Sequence, residues 1–135
     1  MLTFEGELDV LGCLSTTQKP AAATSDFVTM SMAIKTAHMY PSSILIKNEV
    51  AKEILFNPEL KVCEDYEWMV RLSEKYTLFR SVDRLFERRI HNGNTTESFK
   101  HDFDEIRKRI LLSLLPLSGD KLTQHINELI AREYG

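Results

Sequence analysis

The stretch CEDYEWMVRL, residues 63–72, combines an acidic pair with the single tryptophan of the chain. From Glu64 to Tyr76, apolar residues recur at steps of three and four positions with charged residues between them, which predicts an amphipathic helix that packs against a sheet. Acidic residues in a first helical turn commonly complement the helix dipole or cap free N–H groups. A carboxylate held there can also act as a general base. Asp65 therefore has two interpretations, a helix cap or the chemical centre of the protein.

The composition is that of an ordinary globular protein with one modest hydrophobic core. The chain has 135 residues, of which 43% are hydrophobic and 27% are charged, enough for one domain. Lysine and arginine number 17 against 20 aspartates and glutamates, so the formal net charge is -3. This mildly acidic balance argues against nucleic acid or an anionic membrane as the main partner.

The two cysteines and the apolar runs indicate the cellular location of the protein. Cys13 and Cys63 belong to no Cys-x-x-Cys pair, so we expect reduced thiols, no metal and a cytoplasmic location. No apolar run approaches the length that a bilayer span requires. The opening residues also lack the features of a signal peptide. We expect a chain that does not cross a membrane.

The residues before the acidic pair predict two strands and a short helix. Leu8–Leu14 and Pro41–Ile46 are apolar runs of strand length; both indicate buried strands, and we expect the second at the centre of the sheet. Lys47–Phe56 has helical spacing and is followed by an Asn-Pro stop. The methionine-rich Phe27–Met39 is typical of adaptable core packing, although methionine also lines pockets.

The residues after the central helix predict extended structure and then a turn. Leu78–Ile90 reads as two short extended pieces separated at Asp83-Arg84. The following His91–Asn94 has turn chemistry, because glycine and asparagine tolerate positive φ. Polar side chains on such a loop can face a ligand.

The last part of the chain predicts a helical hairpin. Two apolar series with helical spacing are separated by Pro116, and Ser118 or Asp120 can cap the second helix. Their members are Phe99, Phe103, Ile106, Ile110 and Leu114, then Leu122, Ile126, Leu129 and Ile130. Such a hairpin can cover a sheet face, or it can dimerise or dock on a partner.

Four segments, in this order, resemble the C-terminal half of family 2 glycosyltransferases of the GT-A fold. They are Ser42–Ile46, Phe56–Leu60, Glu64–Leu72 and Arg89–Thr96. Members of that family show a Ser-led apolar strand, a turn with glycines before a Phe-Asp pair, an acidic helix with Trp and Arg, and a final loop with Arg, His and Asn. The similarity covers about Pro41–Thr96 and lies in order and spacing rather than in any single motif.

The resemblance implies an α+β protein with a partial GT-A-like fold, in which a few strands pack with helices and a C-terminal helical hairpin follows. Residues 1–96 would form the acceptor-side region and residues 97–135 the hairpin that packs on it. The nucleotide-binding half of the family has no counterpart before Pro41. We therefore expect a C-terminal fragment that neither binds nor uses a nucleotide sugar by itself.

The resemblance also implies the reaction and the residues of the site. It implies inverting transfer of a sugar from a nucleotide-sugar donor to a hydroxyl of a glycan or lipid-linked acceptor, with Asp65 as the general base. Glu64, Trp68 and Arg71 would shape the same site. Arg89 and His91 fall on the loop that closes over the donor diphosphate or its metal; a surface salt bridge and a turn histidine are their structural alternatives.

We expect no cofactor in this chain, whereas a divalent cation, Mn²⁺ or Mg²⁺, is expected for the full-length enzyme. Asp102-Phe103-Asp104 spells the family's metal-binding motif. It falls in a predicted helix, where residues two apart point about 200° away from each other and cannot chelate one ion together. We exclude it as a metal site.

A non-catalytic interpretation stays open beside the enzymatic one. The chain would then be a scaffold or dimerisation module derived from the same fold, with a homodimer formed through the C-terminal helices or an exposed sheet edge. In either case we expect a cytoplasmic protein, which partners could hold at the inner face of the membrane.

Overall fold

A computed structural model of the chain describes residues 10–15, 26–35, 41–87, 89 and 102–134. Within these ranges the protein is α+β, as expected from the sequence. The strands are β1 (Val10–Ser15), β2 (Asp26–Val28), β3 (Ile44–Ile46) and β4 (Leu78–Phe86). The α-helices are α1 (Met30–Lys35), α2 (Asn48–Glu53), α3 (Glu64–Lys75), α4 (Phe103–Leu114) and α5 (Asp120–Leu129). A π-helical turn, Ile130–Tyr134, extends α5, and none of the helices in these ranges is long and apolar enough to cross a membrane.

The strands form one sheet in the order β2-β4-β1-β3. The two inner strands, β1 and β4, are parallel, and each edge strand is antiparallel to its neighbour. The prediction that Ser42–Ile46 lies at the centre was wrong, because β1 takes that place. Pro41–Ser43 instead form a 3-10 turn, and Leu45 on the edge strand is 69% exposed.

The strand β4 is continuous, so the prediction of two separate extended pieces was also wrong. Its pairing with β1 is nevertheless irregular near the predicted break: Cys13 pairs with Ser81, but the next partner, opposite Leu14, is Arg84. The Ser81 hydroxyl accepts a hydrogen bond from the backbone N–H of Asp83 at 3.1 Å. A local bond of this kind competes with the sheet ladder and favours a bulge.

The helix α3 lies between two hydrophobic clusters. Trp68, Met69 and Leu72 on one face pack with Leu78 of β4 and with partly buried residues of β2 and β3. Tyr66 and Val70 on another face pack with the C-terminal hairpin. An amphipathic helix needs only one apolar face; α3 has two because it is the layer between the sheet and the hairpin.

The C-terminal hairpin forms as predicted and packs on helices α1 and α3. Its buried residues share a cluster with Ile34, Tyr66 and Val70. Asp102 caps α4 by accepting the N–H of Glu105 at 3.2 Å. The predicted start at Phe99 and the boundary between residues 96 and 97 lie outside the described residues.

The cap of the second hairpin helix differs from expectation. The N-cap of α5 is Gly119 rather than Ser118 or Asp120. The Ser118 hydroxyl instead donates to the carbonyl of Leu114 at 2.7 Å. Ser118 therefore satisfies the end of the first helix rather than the start of the second.

Candidate functional site

Asp65 is the second residue of α3 and is half-buried. The N-cap is Cys63, whose backbone is left-handed (φ 59°, ψ 20°) and whose side chain makes no capping hydrogen bond. Asp65 Oδ1 accepts the backbone N–H of Tyr66 at 2.7 Å. Asp65 thus supports the first turn of the helix without being its N-cap.

By helical spacing, Asp65 shares one face of α3 with residues of the sheet-side core. Residues at i, i+3, i+4 and i+7 share one face of a helix, and these steps from Asp65 reach Trp68, Met69 and Leu72. Those three side chains form the sheet-side core. Asp65 therefore continues that apolar stripe one turn beyond the core, where the stripe meets solvent.

The start of α3 lies towards the carboxyl ends of the parallel strands. Only Tyr76 and Thr77 separate α3 from β4, so the chain reverses there and α3 runs back along β4. In open sheets that contain parallel strands, ligands typically bind outside the carboxyl ends. The irregular part of β4 lies at this end, and Arg89, which is exposed, follows three residues after β4.

Trp68 anchors the segment that connects α2 to α3. Its indole Nε1 donates to the carbonyl of Ile54 at 2.7 Å. The ring of Phe56 stacks on the indole, with centroids 4.6 Å apart and planes 22° apart. Trp68 is itself only 5% exposed. It supports the site from beneath rather than offering a surface to a ligand.

Arg71 anchors the same segment from the next turn of the helix. Its Nη2 donates to the carbonyl of Leu55 at 2.6 Å. Its Nε and Nη2 bind the buried carboxylate of Glu67 at 2.6 and 2.8 Å. Because Glu67 fixes the guanidinium, Arg71 is a rigid support for the backbone at Leu55.

Phe56 and Asn57 follow the anchored carbonyls and form an ordered turn. Asn57 Oδ1 accepts the N–H of Glu59 at 3.0 Å, and the carbonyl of Asn57 accepts the N–H of Leu60 at 3.2 Å. Phe56–Leu60 belongs to a motif of the resemblance, although none of its residues was predicted to lie in the site. An aromatic residue directly before an Asn-Pro turn is the signal that could have identified Phe56.

The C-terminal hairpin brings further titratable groups to the start of α3. Burial raises the pKa of the Cys63 thiol, Asp65 raises it further, and Arg107 of α4 lowers it. Arg107 also binds Asp104 Oδ1 at 2.6 Å. Arg107 could not be predicted as part of the site, because it belongs to an amphipathic helix and only the tertiary packing brings it near Cys63.

The other predicted site residues are less well placed. Glu64 begins α3 and is half-buried beside Asp65. Asp102 and Asp104 serve as a helix cap and as the partner of Arg107. No group of three or more metal-ligating side chains occurs in the part of the chain that the structure describes, and His91 lies outside that part.

Comparison with family models, with curated proteins and with solved structures finds no match for this chain. The site combines the half-buried carboxylate of Asp65 at the start of α3, the carboxylate of Glu64 beside it, and the anchored turn that carries Phe56. Such a group can accept a proton from a hydroxyl held against it.

Proposed function

We propose that this chain supplies the acceptor side of an inverting, nucleotide-sugar-dependent glycosyltransferase of the GT-A type, working in the cytoplasm or at the inner face of its membrane. The observation that carries the proposal is the position of Asp65, a half-buried carboxylate on the sheet-facing stripe of α3, one turn beyond the core. A carboxylate at the end of a packed apolar stripe is held at a fixed place, and a general base needs such a fixed position.

In this mechanism the acceptor hydroxyl lies against the Asp65 carboxylate. Its oxygen attacks the anomeric carbon of the donor as its proton passes to Asp65. The bond from the anomeric carbon to the diphosphate oxygen breaks with its electron pair, so the nucleoside diphosphate leaves and the anomeric configuration inverts. Asp65 then returns its proton to solvent.

The donor and its divalent cation are assigned to a nucleotide-binding half outside the residues described. A cation there offsets the charge of the leaving diphosphate. Within the described residues no group of three or more metal-ligating side chains occurs. The resemblance places Arg89 and His91 at the donor diphosphate, where an arginine offsets developing negative charge.

The experiment that tests the base is Asp65→Asn in the enzyme that contains this chain together with its donor-binding half. Turnover should fall by about 10²-fold or more, since general-base catalysis typically contributes that much. Folding should be preserved, because asparagine retains a carbonyl oxygen for the N–H of Tyr66. Glu64→Gln is the matched control for loss of negative charge at the helix start. Near-native turnover in Asp65→Asn would remove the catalytic role.

The assignment of the donor site to another half is tested on the chain alone. Calorimetric titration with UDP- and GDP-sugars in the presence of Mn²⁺ should show no micromolar binding. Micromolar affinity for a nucleotide sugar would contradict the assignment of the donor site to another half.

One observation favours the non-catalytic alternative, a scaffold or dimerisation module. Both edge strands of the sheet carry an exposed apolar side chain, Phe27 at 58% and Leu45 at 69%. The apolar stripe of the hairpin is instead buried against α1 and α3. A homodimer would therefore form through a sheet edge. The non-catalytic alternative would gain support if Asp65→Asn left turnover unchanged.

A further inference from the structure

The exposed face of Phe56 is the surface from which we infer the acceptor class. Phe56 is 43% exposed although one face of its ring is covered by the indole of Trp68. Single exposed apolar side chains are common on proteins and need no explanation. Phe56 differs from them because the segment that carries it is anchored.

Two polar anchors hold the backbone immediately before Phe56. Trp68 binds the carbonyl of Ile54, and Arg71 binds that of Leu55. The stacked indole fixes the ring itself, and the Asn57 turn fixes the chain after it. A ligand that binds this ring meets a surface that is already ordered, so binding loses little entropy in the protein.

The anchored segment brings Phe56 to the helix that carries the predicted base. The segment runs along α3 from its end to its start, because Glu53 meets Lys75, Leu55 meets Arg71 and Phe56 meets Trp68. Trp68 and Asp65 are three residues apart on the helix, a spacing that puts their Cβ atoms about 5 to 6 Å apart. Phe56 therefore stacks on a side chain that shares a helix face with Asp65, one turn away from it.

We propose that Phe56 is the platform on which the terminal sugar ring of the acceptor stacks, with the attacking hydroxyl directed to Asp65; this inference rests on the proposed function. One face of a pyranose exposes C–H groups that are apolar and slightly positive, which matches the negative face of an aromatic ring. The hydroxyl groups at the rim of the same sugar remain free to meet carboxylates.

The negative charges at the start of α3 further limit which class of acceptor can bind. Glu64 and Asp65 both lie in the first turn of α3, four and three residues before Trp68. Two carboxylates repel a sugar that carries its own carboxylate or phosphate at this point. The acceptor is therefore a glycan that ends in a neutral sugar rather than an acidic one.

The test measures binding of small glycosides to the intact chain by ligand-observed saturation-transfer NMR. The probes are the methyl β-glycosides of glucose and galactose, with methyl glucuronide as the acidic counterpart and hexanol as the lipid-like one. We expect both neutral glycosides to bind, methyl glucuronide to bind at least threefold more weakly, and hexanol to show no saturable binding.

Variants at the platform identify the ring as the contact. Phe56→Ala and Phe56→Leu should weaken binding of the neutral glycosides about three- to tenfold, the range expected for a stacking contact. Phe56→Tyr should retain binding, and Leu55→Ala is the matched control because Leu55 is a neighbouring residue with 65% exposure. Far-ultraviolet circular dichroism checks that each variant is folded.

Unchanged affinity in Phe56→Leu, or tighter binding of methyl glucuronide or hexanol than of the neutral glycosides, would overturn the platform. So would the absence of glycoside binding to the unmodified chain. None of these results decides the catalytic role of Asp65, which the turnover of Asp65→Asn tests separately. Loss of turnover in Asp65→Asn together with a failed platform would leave a transferase whose acceptor binds elsewhere.

Discussion

The guanidinium of Arg71 joins two groups that belong to different elements: the buried carboxylate of Glu67, one turn earlier on α3, and the carbonyl of Leu55, on the segment after α2. The Glu67 side chain is 7% exposed and that of Arg71 is 28% exposed. The ion pair is therefore more than a surface contact. It connects the helix that carries Asp65 to the turn that carries Phe56.

Arg71→Met should lower the free energy of unfolding by about 2 kcal/mol, because it leaves the Glu67 carboxylate buried without its cation. Chemical denaturation measures the change. Adding Glu67→Gln to Arg71→Met should cost less than the sum of the two single changes, since neither partner is then left alone. Arg109→Met is the matched control: Arg109 makes an exposed pair with Glu105 at 3.3 Å, and its loss should cost under about 0.5 kcal/mol. Equal effects at Arg71 and Arg109 would contradict the anchoring role.

Tyr66→Phe should make stability less sensitive to alkaline pH. The Tyr66 side chain is buried, its hydroxyl donates to the carbonyl of Ile34, and burial raises its pKa above the usual value of 10.0. Above pH 10 the unfolded chain loses this proton while the folded protein keeps it, so the free energy of unfolding falls as pH rises. Replacing Tyr66 with phenylalanine removes this contribution to the decrease in the free energy of unfolding.

The same variant should cost about 1 to 2 kcal/mol at pH 7, because the carbonyl of Ile34 loses its partner. Cys63, whose thiol pKa is also raised by burial, adds to the alkaline decline in both proteins. The measurement is therefore the difference between Tyr66→Phe and the unmodified chain at each pH from 7 to 11. A difference that does not shrink as pH rises would show that Tyr66 titrates alike in the folded and unfolded states.

Gly119→Ser should stabilise the protein by a few tenths of a kcal/mol, since serine caps a helix better than glycine. The backbone of Gly119 (φ -70°, ψ 171°) is open to any L-residue, and an added Cβ would lie 3.4 Å from Glu74 Oε2. Gly119→Asp should gain less, because its carboxylate would lie beside that of Glu74. Thermal unfolding of the two variants should rank serine above aspartate, and the reverse order would show that the Glu74 charge has no influence there.

Leu45→Lys should reduce self-association if copies of the chain pair through the β3 edge. A charged side chain on an edge strand opposes pairing with another strand. Light scattering over a concentration series should show association of the unmodified chain and less association of the variant. Leu117→Lys is the matched control, because Leu117 is 80% exposed on the hairpin turn, away from the sheet. A clean monomer at high concentration in the unmodified chain would exclude the edge as an interface.

The helical parts of the fold could be predicted because their apolar spacing is long and regular. Glu64–Lys75 was predicted almost to the residue, and the two hairpin helices follow from spacing alone. The sheet was harder to predict, because a three-residue strand such as Ile44–Ile46 is too short to show whether one or both of its faces are buried. The sequence pattern identified the strand but placed it at the centre instead of the edge.

The candidate site was predictable where it depends on the helix and not where it depends on tertiary contacts. Glu64 and Asp65 stand out as an acidic pair at a helix start. The left-handed backbone at Cys63 has no sequence signal, because cysteine rarely adopts it and glycine or asparagine would be expected. The roles of Trp68 and Arg71 as anchors depend on carbonyls of a segment more than ten residues earlier, and no local pattern reports such a contact.

The parallel pairing of β1 with β4 constrains the order in which the chain can fold. Val10 lies opposite Leu78, and everything from β2 to α3 is the crossover between them. On the ribosome, β1 therefore emerges long before its parallel partner. Contacts so distant in sequence form slowly. Until Phe86 has been synthesised, the apolar β1 lacks its partner on one side, so the nascent chain remains vulnerable to misassembly until β4 is complete.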